Sequence, residues 1–157
     1  MRKIKRIIVH HSESEGGDVD FLRYCHVHDN KWKDVGYHYV ITNGKKHGDW
    51  KAGMDGMIQE GRPVEMQGAH ARGHNGDSIG ICVIGDFEET KPTYKQIASL
   101  SSLLIELCVK HNINPFGNIL GHRDVNNTTC PGRYLYSILM PMKLFITAAL
   151  WHEGQRW

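Results

Sequence analysis

The chain has 157 residues, 40% hydrophobic and 23% charged, which suits one globular domain of about 150 residues and excludes a disordered chain. Lys and Arg number 19 against 17 Asp and Glu, a formal charge of +2, so no nucleic-acid partner is expected. The longest unbroken apolar run is far short of the roughly 20 residues of a membrane span, and no transmembrane segment is expected.

Met1 to Arg6 is charged like the start of an export signal, but only Ile7-Ile8-Val9 follows before His10-His11. An export signal needs about 7 to 15 apolar residues, so the expectation is synthesis in the cytoplasm, with disulfides absent. Ile4 to Val9 reads as a strand ending at the His pair. Val19 to Lys33 reads as a helix with N-cap Asp18 and Phe21, Tyr24, Val27 and His28 at helical spacing. Gly36 to Thr42 alternates as a strand, with Asn43-Gly44 as its hairpin turn. Lys45 to Gly68 is Gly-rich and reads as irregular. Ser78 to Ile84 is a continuous apolar run, the pattern of a strand buried on both faces. A helix opening at Thr90 or Pro92 runs to about Asn112. Tyr134 to Trp151 is mostly apolar and helical, with Pro141 kinking it or capping a second helix. Strands alternate with helices without a linker or internal repeat, which predicts a single α/β domain over residues 1–157 with helices packed on a central sheet.

The chemistry concentrates in Gly121-His-Arg-Asp-Val-Asn-Asn-Thr-Thr-Cys-Pro-Gly132. A loop between His122 and Cys130 can aim an imidazole and a thiolate at one point. Zinc takes both ligand types, and a catalytic site uses three protein ligands with a fourth position left for water. His10, at the carboxyl end of the first strand, is the candidate third ligand. On spacing alone, a buried Cys130 with a surface His122 is the commoner outcome. The four Cys show no C-x-x-C pair, so neither a zinc ribbon nor a redox dithiol is signalled.

Six segments occur in order: Val9-His10-His11-Ser12, Asp34-Val-Gly-Tyr-His-Tyr39, Glu60-Gly-Arg-Pro63, Gly68-Ala-His-Ala-Arg-Gly-His-Asn75, Ser78-Ile-Gly-Ile-Cys82 and Gly121-His-Arg-Asp…Thr-Thr-Cys-Pro131. Together they resemble the type 2 N-acetylmuramoyl-L-alanine amidases, the family of the peptidoglycan recognition proteins and phage T7 lysozyme. The likeness spans about residues 4–140, with a C-terminal helical segment at about 134–151. It implies a mixed sheet flanked by helices, with a zinc site in a cleft at the sheet edge. Zinc would be held by His10, His122 and Cys130, one ion per chain. The resemblance puts the catalytic tyrosine at Tyr37 and a second catalytic hydroxyl at Thr128, where active recognition proteins carry Thr and phage T7 lysozyme carries Lys. His70 and Asn75 fall in a loop that borders the family's substrate cleft. The implied reaction is hydrolysis of the amide between N-acetylmuramic acid and L-alanine in peptidoglycan. The implied setting is that of a bacteriolytic endolysin, a monomer reaching the wall after release or pore formation. A non-catalytic peptidoglycan-binding module of the same fold is the alternative. The segment from Lys45 to Met57 is longer than the family pattern leads one to expect.

Other readings of these residues are weaker. Strand alternation sends His11 away from His10, into a packing role. His38 reads as structural. Asp124 either orients a ligand imidazole or pairs with Arg123 or Arg133. Gly76-Asp-Ser-Ile-Gly80 matches the serine-hydrolase elbow, but that motif needs a strand before it and a helix after it. A Cys130–His122 thiol nucleophile leaves His10 and Tyr37 without a role. No carboxylate pair is singled out for glycosidase chemistry. Trp151, Trp157 and the apolar tail read as core packing rather than a membrane dock.

Overall fold

The computed structural model describes residues 2–46, 49–154 and 157. Its elements run β1 (Arg6–His11), α1 (Val19–His28), β2 (Tyr39–Lys46), β3 (Asp49–Glu60), β4 (Ser78–Val83), α2 (Tyr94–His111), α3 (Pro115–Asn118), β5 (Ile119–Gly121) and α4 (Arg133–His152). The five strands form one mixed sheet in the order β3-β2-β4-β1-β5. β1 lies parallel to β4 and β5, β2 is parallel to β4, and only β3 runs antiparallel, beside β2. This is the expected α/β sheet flanked by helices.

β4 sits between two parallel neighbours and every residue from Ser78 to Val83 is buried. That explains its unbroken apolar run, because neither face meets water. One face of the sheet carries the larger core, where Ile7, Val9, Ile81, Leu104, Leu139 and Ile146 meet under α2 and α4. The other face holds a smaller cluster of Val19, Leu22, Val35, Val40, Cys82 and Ile84 beneath α1. Ile7 and Val9 face the larger core, so alternation along β1 turns His11 toward it and His10 toward the α1 side.

α2 starts at a capping box in which Thr93 and Gln96 satisfy each other's backbone N–H groups, one residue after Pro92 and three after Thr90. It ends as expected, at Asn112 in the left-handed conformation. α4 continues through Pro141 as one helix and buries Leu135, Leu139, Met142, Ile146 and Leu150. With 20 residues and mean hydropathy 1.3 it is long and apolar enough, by length and composition, to cross a membrane. The expectation from unbroken runs missed it because Arg133 and Lys143 punctuate the segment. One face is nonetheless in the core, while Trp151 is 54% exposed and so not the core residue expected of it.

Three boundaries differ from the sequence reading. α1 ends at His28 rather than Lys33, because apolar spacing stops at Val27 and Lys31 takes a positive φ of 59°. Its helical stripe of Phe21, Tyr24 and Val27 faces solvent, and Val19 and Leu22 make the buried contacts instead. Asn43-Gly44 is not the hairpin turn. β2 continues to Lys46, which pairs with Asp49, so the turn itself lies outside the described residues. Gly44 adopts φ +79° and the Asn43 side-chain oxygen accepts from Lys45 N–H, giving an irregularity inside the strand. The supposedly irregular stretch after Lys45 contains the 12-residue β3, an edge strand in which Gly56 alone is buried.

Candidate metal centre and active site

β1 delivers His10 to the carboxyl edge of the sheet, opposite Cys82 of β4. On its other side, β5 ends at Gly121 and a short 3-10 turn lifts His122 beside it, their ring centroids 4.5 Å apart. The chain then loops back, with Arg123 N–H donating to the Cys130 carbonyl at 2.8 Å, which closes His122 and Cys130 onto one point. The ligand atoms of His10, His122 and Cys130 all lie within 4.8 Å of one another. Cys130 Sγ is 3.7 Å from His10 Nδ1. His10 Nε2, by contrast, lies 3.0 Å from His70 Nδ1, and His122 Nε2 lies 3.1 Å from Asn126 Oδ1. An amide oxygen only accepts, so His122 carries its proton on Nε2 and keeps the Nδ1 lone pair free.

Burial favours the neutral form of both candidate ligand imidazoles. It drives His10 well below the usual His range, helped by His70 and His122, and it lowers His122 too. Neutral imidazole is the form that binds metal. Burial pushes the Cys130 thiol up to about 11. A thiol nucleophile needs the opposite shift, whereas a divalent cation deprotonates a coordinating thiol outright. Two neutral imidazoles and one thiolate are a donor set that fits zinc.

Tyr37 stands against this cluster, its ring centroid 5.1 Å from that of His10 and 5.5 Å from that of His26. Burial raises its phenol well above the ordinary value, reinforced by the neighbouring Cys82 and Cys130. The phenol therefore stays an O–H donor at neutral pH. Thr128 lines a groove of about 600 Å³ beside the cluster, together with Trp32, Arg72, His122 and Asn127. Its Oγ1 accepts from Cys130 N–H at 3.2 Å, which leaves its own O–H to donate.

His70 and Asn75 also reach the groove, yet both are engaged inward. Asn75 Oδ1 accepts from the backbone N–H groups of His70 and Ala71, each at 2.9 Å. His70 is only 8% exposed and sits behind His10, its pKa pushed down to about 3 by burial. His11 accepts from Phe87 N–H through Nδ1 and stacks on that ring, a packing role as expected. His38 is structural as expected: Nδ1 accepts from Gly80 N–H and Nε2 donates to the Met66 carbonyl. Asp124 does neither of the things expected of it. It accepts from Gly121 N–H and from the Tyr136 hydroxyl, while Arg123 pairs with Glu88. The residue that orients His122 is Asn126, two positions further on, which also donates to the Arg72 carbonyl and ties the two groove loops together. His26, which accepts from Gly36 N–H and touches Trp32 and Tyr37, was likewise missed.

Residues 1–133 match the family model described as N-acetylmuramoyl-L-alanine amidase. The chain belongs to that family. Among curated relatives, the peptidoglycan-recognition protein LB of Drosophila melanogaster is 36% identical over 106 residues, 68% of this chain and 41% of its own length. The chain spans about half the length of the curated relatives it matches. Among solved structures, the N-acetylmuramoyl-L-alanine amidase LysC from Clostridium intestinale URNW superimposes with a TM-score of 0.76 at 30% identity, covering 95% of this chain and 86% of that one. The endolysin amidase LysCS of the same organism gives 0.74 at 29%, covering 87% and 82%. The amidase family therefore accounts for both the mixed sheet and the cluster at its edge.

Proposed function

We propose that the chain is a zinc-dependent N-acetylmuramoyl-L-alanine amidase that cleaves the bond between N-acetylmuramic acid and L-alanine in peptidoglycan, in the manner of an endolysin. The observation that carries this is the convergence of His10, His122 and Cys130 within 4.8 Å at the foot of an open groove. These three residues would hold one zinc ion, which lowers the pKa of water from about 15.7 toward about 7 and polarises a carbonyl. A single thiolate leaves such a site with net positive charge, which favours a developing oxyanion. In this reading the protonated Tyr37 phenol donates a hydrogen bond to that charge, and the Thr128 hydroxyl donates from the groove side. The loops of residues 69–75 and 122–128 wall the groove, and the exposed Arg72 guanidinium suits the carboxylates of a stem peptide.

A recognition module that binds peptidoglycan without cleaving it is the second reading, favoured by the likeness to a peptidoglycan-recognition protein. Retention of Cys130 in contact with His10 favours catalysis. Mass spectrometry of purified sacculi separates the two. Cleavage yields free peptides beginning with L-alanine and leaves the glycan chains intact. Protein that sediments with the sacculi and releases nothing supports binding alone, and new reducing sugar ends without new N-terminal alanine would refute the amidase assignment.

A further inference from the structure

We infer that His70 is a positioning residue for the metal centre: with Ser78 behind it, His70 fixes the His10 imidazole in the tautomer that keeps its proton on Nε2 and presents the Nδ1 lone pair to the metal. This rests on the zinc reading above and adds to it a reason why His10 binds through that nitrogen.

The two rings approach nitrogen to nitrogen, His10 Nε2 to His70 Nδ1 at 3.0 Å. One proton serves that contact, and either ring could own it. If His70 owned it, neutral His10 would carry its own proton on Nδ1, aimed at Cys130, and would offer the metal nothing. The far end of the chain decides. Ser78 Oγ lies 2.6 Å from the His74 carbonyl and 3.3 Å from His70 Nε2. A carbonyl can only accept, so the one hydroxyl proton of Ser78 goes to His74. Ser78 is left with lone pairs for His70, and His70 must donate from Nε2. Neutral His70 then has a bare Nδ1, which accepts from His10 Nε2–H, and neutral His10 has a bare Nδ1. A single backbone carbonyl thus sets the direction of three consecutive hydrogen bonds. Ring orientation and basicity of a metal-binding histidine are set by such partners.

The surroundings hold His70 in this role. A Cβ added at Gly80 would stand 2.5 Å from the His70 ring, and one at Gly68 would stand 2.6 Å from it, so the ring occupies a slot that only glycines leave open. Asn75 fixes its backbone. His38 packs edge-on against the ring but spends both of its nitrogens on backbone groups, so it does not compete for those of His70. Gly68, His70, Asn75, Ser78 and Gly80 therefore act as one device, contributed by a loop and the start of β4.

Two measurements test it. Long-range proton–nitrogen correlation spectra of the zinc-loaded protein should show His10 and His70 both protonated on Nε2; a proton on His70 Nδ1 would overturn the inference without any variant. Zinc affinity, read by competition with a chromophoric chelator, should fall about 10- to 100-fold in His70→Phe, which keeps a ring but has no acceptor. His70→Asn, whose amide oxygen replaces the Nδ1 lone pair, should recover most of that loss. His70→Phe that folds, by circular dichroism, and binds zinc as tightly as wild type would overturn the inference alone. Failure of the wild-type protein to bind zinc would overturn the zinc reading instead.

Discussion

The two candidate ligand histidines reach the same point by different routes. His10 is 1% exposed, fixed at the end of a strand hydrogen-bonded on both sides, with a fully internal chain of partners behind it. His122 is half-buried on a 3-10 turn, its Nε2 held by a single amide that itself bridges to a neighbouring loop. The sheet supplies His10 from a buried strand, whereas His122 and Cys130 sit on a loop held by its own turns, with Arg123 N–H on the Cys130 carbonyl and Asn126 N–H on the His122 carbonyl. A side chain on a core strand is fixed by burial, and one on a surface loop by local hydrogen bonds that open more readily.

The largest expected effect is on metal content. His10→Ala and Cys130→Ser should each reduce zinc from one per chain to nearly none by metal analysis, whereas His11→Ala should keep it. His11→Ala should instead destabilise the fold by about 1–3 kcal/mol, because Phe87 N–H loses its buried acceptor. Loss of zinc in His11→Ala alone would reverse the assignment of faces along β1. Next comes turnover: Tyr37→Phe should lower kcat by about 10² to 10³ with zinc retained, as for removal of one oxyanion donor. Thr128→Val, nearly isosteric, should act in the same direction, and wild-type turnover in Tyr37→Phe would remove the phenol from the mechanism.

Much of this was legible because burial leaves a mark on composition. β4 is apolar throughout because both faces are covered, and α2 and α4 show core-facing spacing. β3 was not legible, since an exposed Gly-containing edge strand has almost no buried face to produce alternation. Asn43-Gly44 misled because its preference for positive φ serves an irregularity as readily as a turn. Within the site, the types and order of His10, His122 and Cys130 stood out, whereas Tyr37 and Thr128 were singled out only through the family resemblance. Asn126, Ser78 and the two glycines around His70 did not, because their roles depend on which atoms meet after loops from separate parts of the chain are folded together.

Smaller effects sharpen the contrast between the two halves. Asn126→Ala should weaken zinc binding by less than His70→Phe does, because water can reach half-exposed His122 and replace the amide. Equal losses would erase the distinction. Removing zinc should speed hydrogen exchange at residues 122–130 while leaving β1 and β4 protected, and uniform deprotection would show the sheet side to be no more preformed than the loop. pH gives a check independent of the metal. His38 takes up a proton near pH 6.5 when unfolded but, pushed down by burial, only at about 4 when folded. Its contribution is complete above about pH 6.5 and is lost as pH falls toward 4, by up to about 1.4 kcal/mol per pH unit. Thermal melts of metal-free protein should show Tm declining over that window, and an NMR titration midpoint for His38 near 6.5 would refute the burial argument.

The central claim is that one metal ion at His10, His122 and Cys130 makes this chain an amidase. Metal-free protein titrated with zinc, with release of alanine-terminated peptides from purified peptidoglycan measured at each step, tests it most directly. Release should rise from zero and reach its plateau at one equivalent of zinc. Release that is already maximal without zinc and resists chelator would contradict the claim and return Cys130 to consideration as a nucleophile.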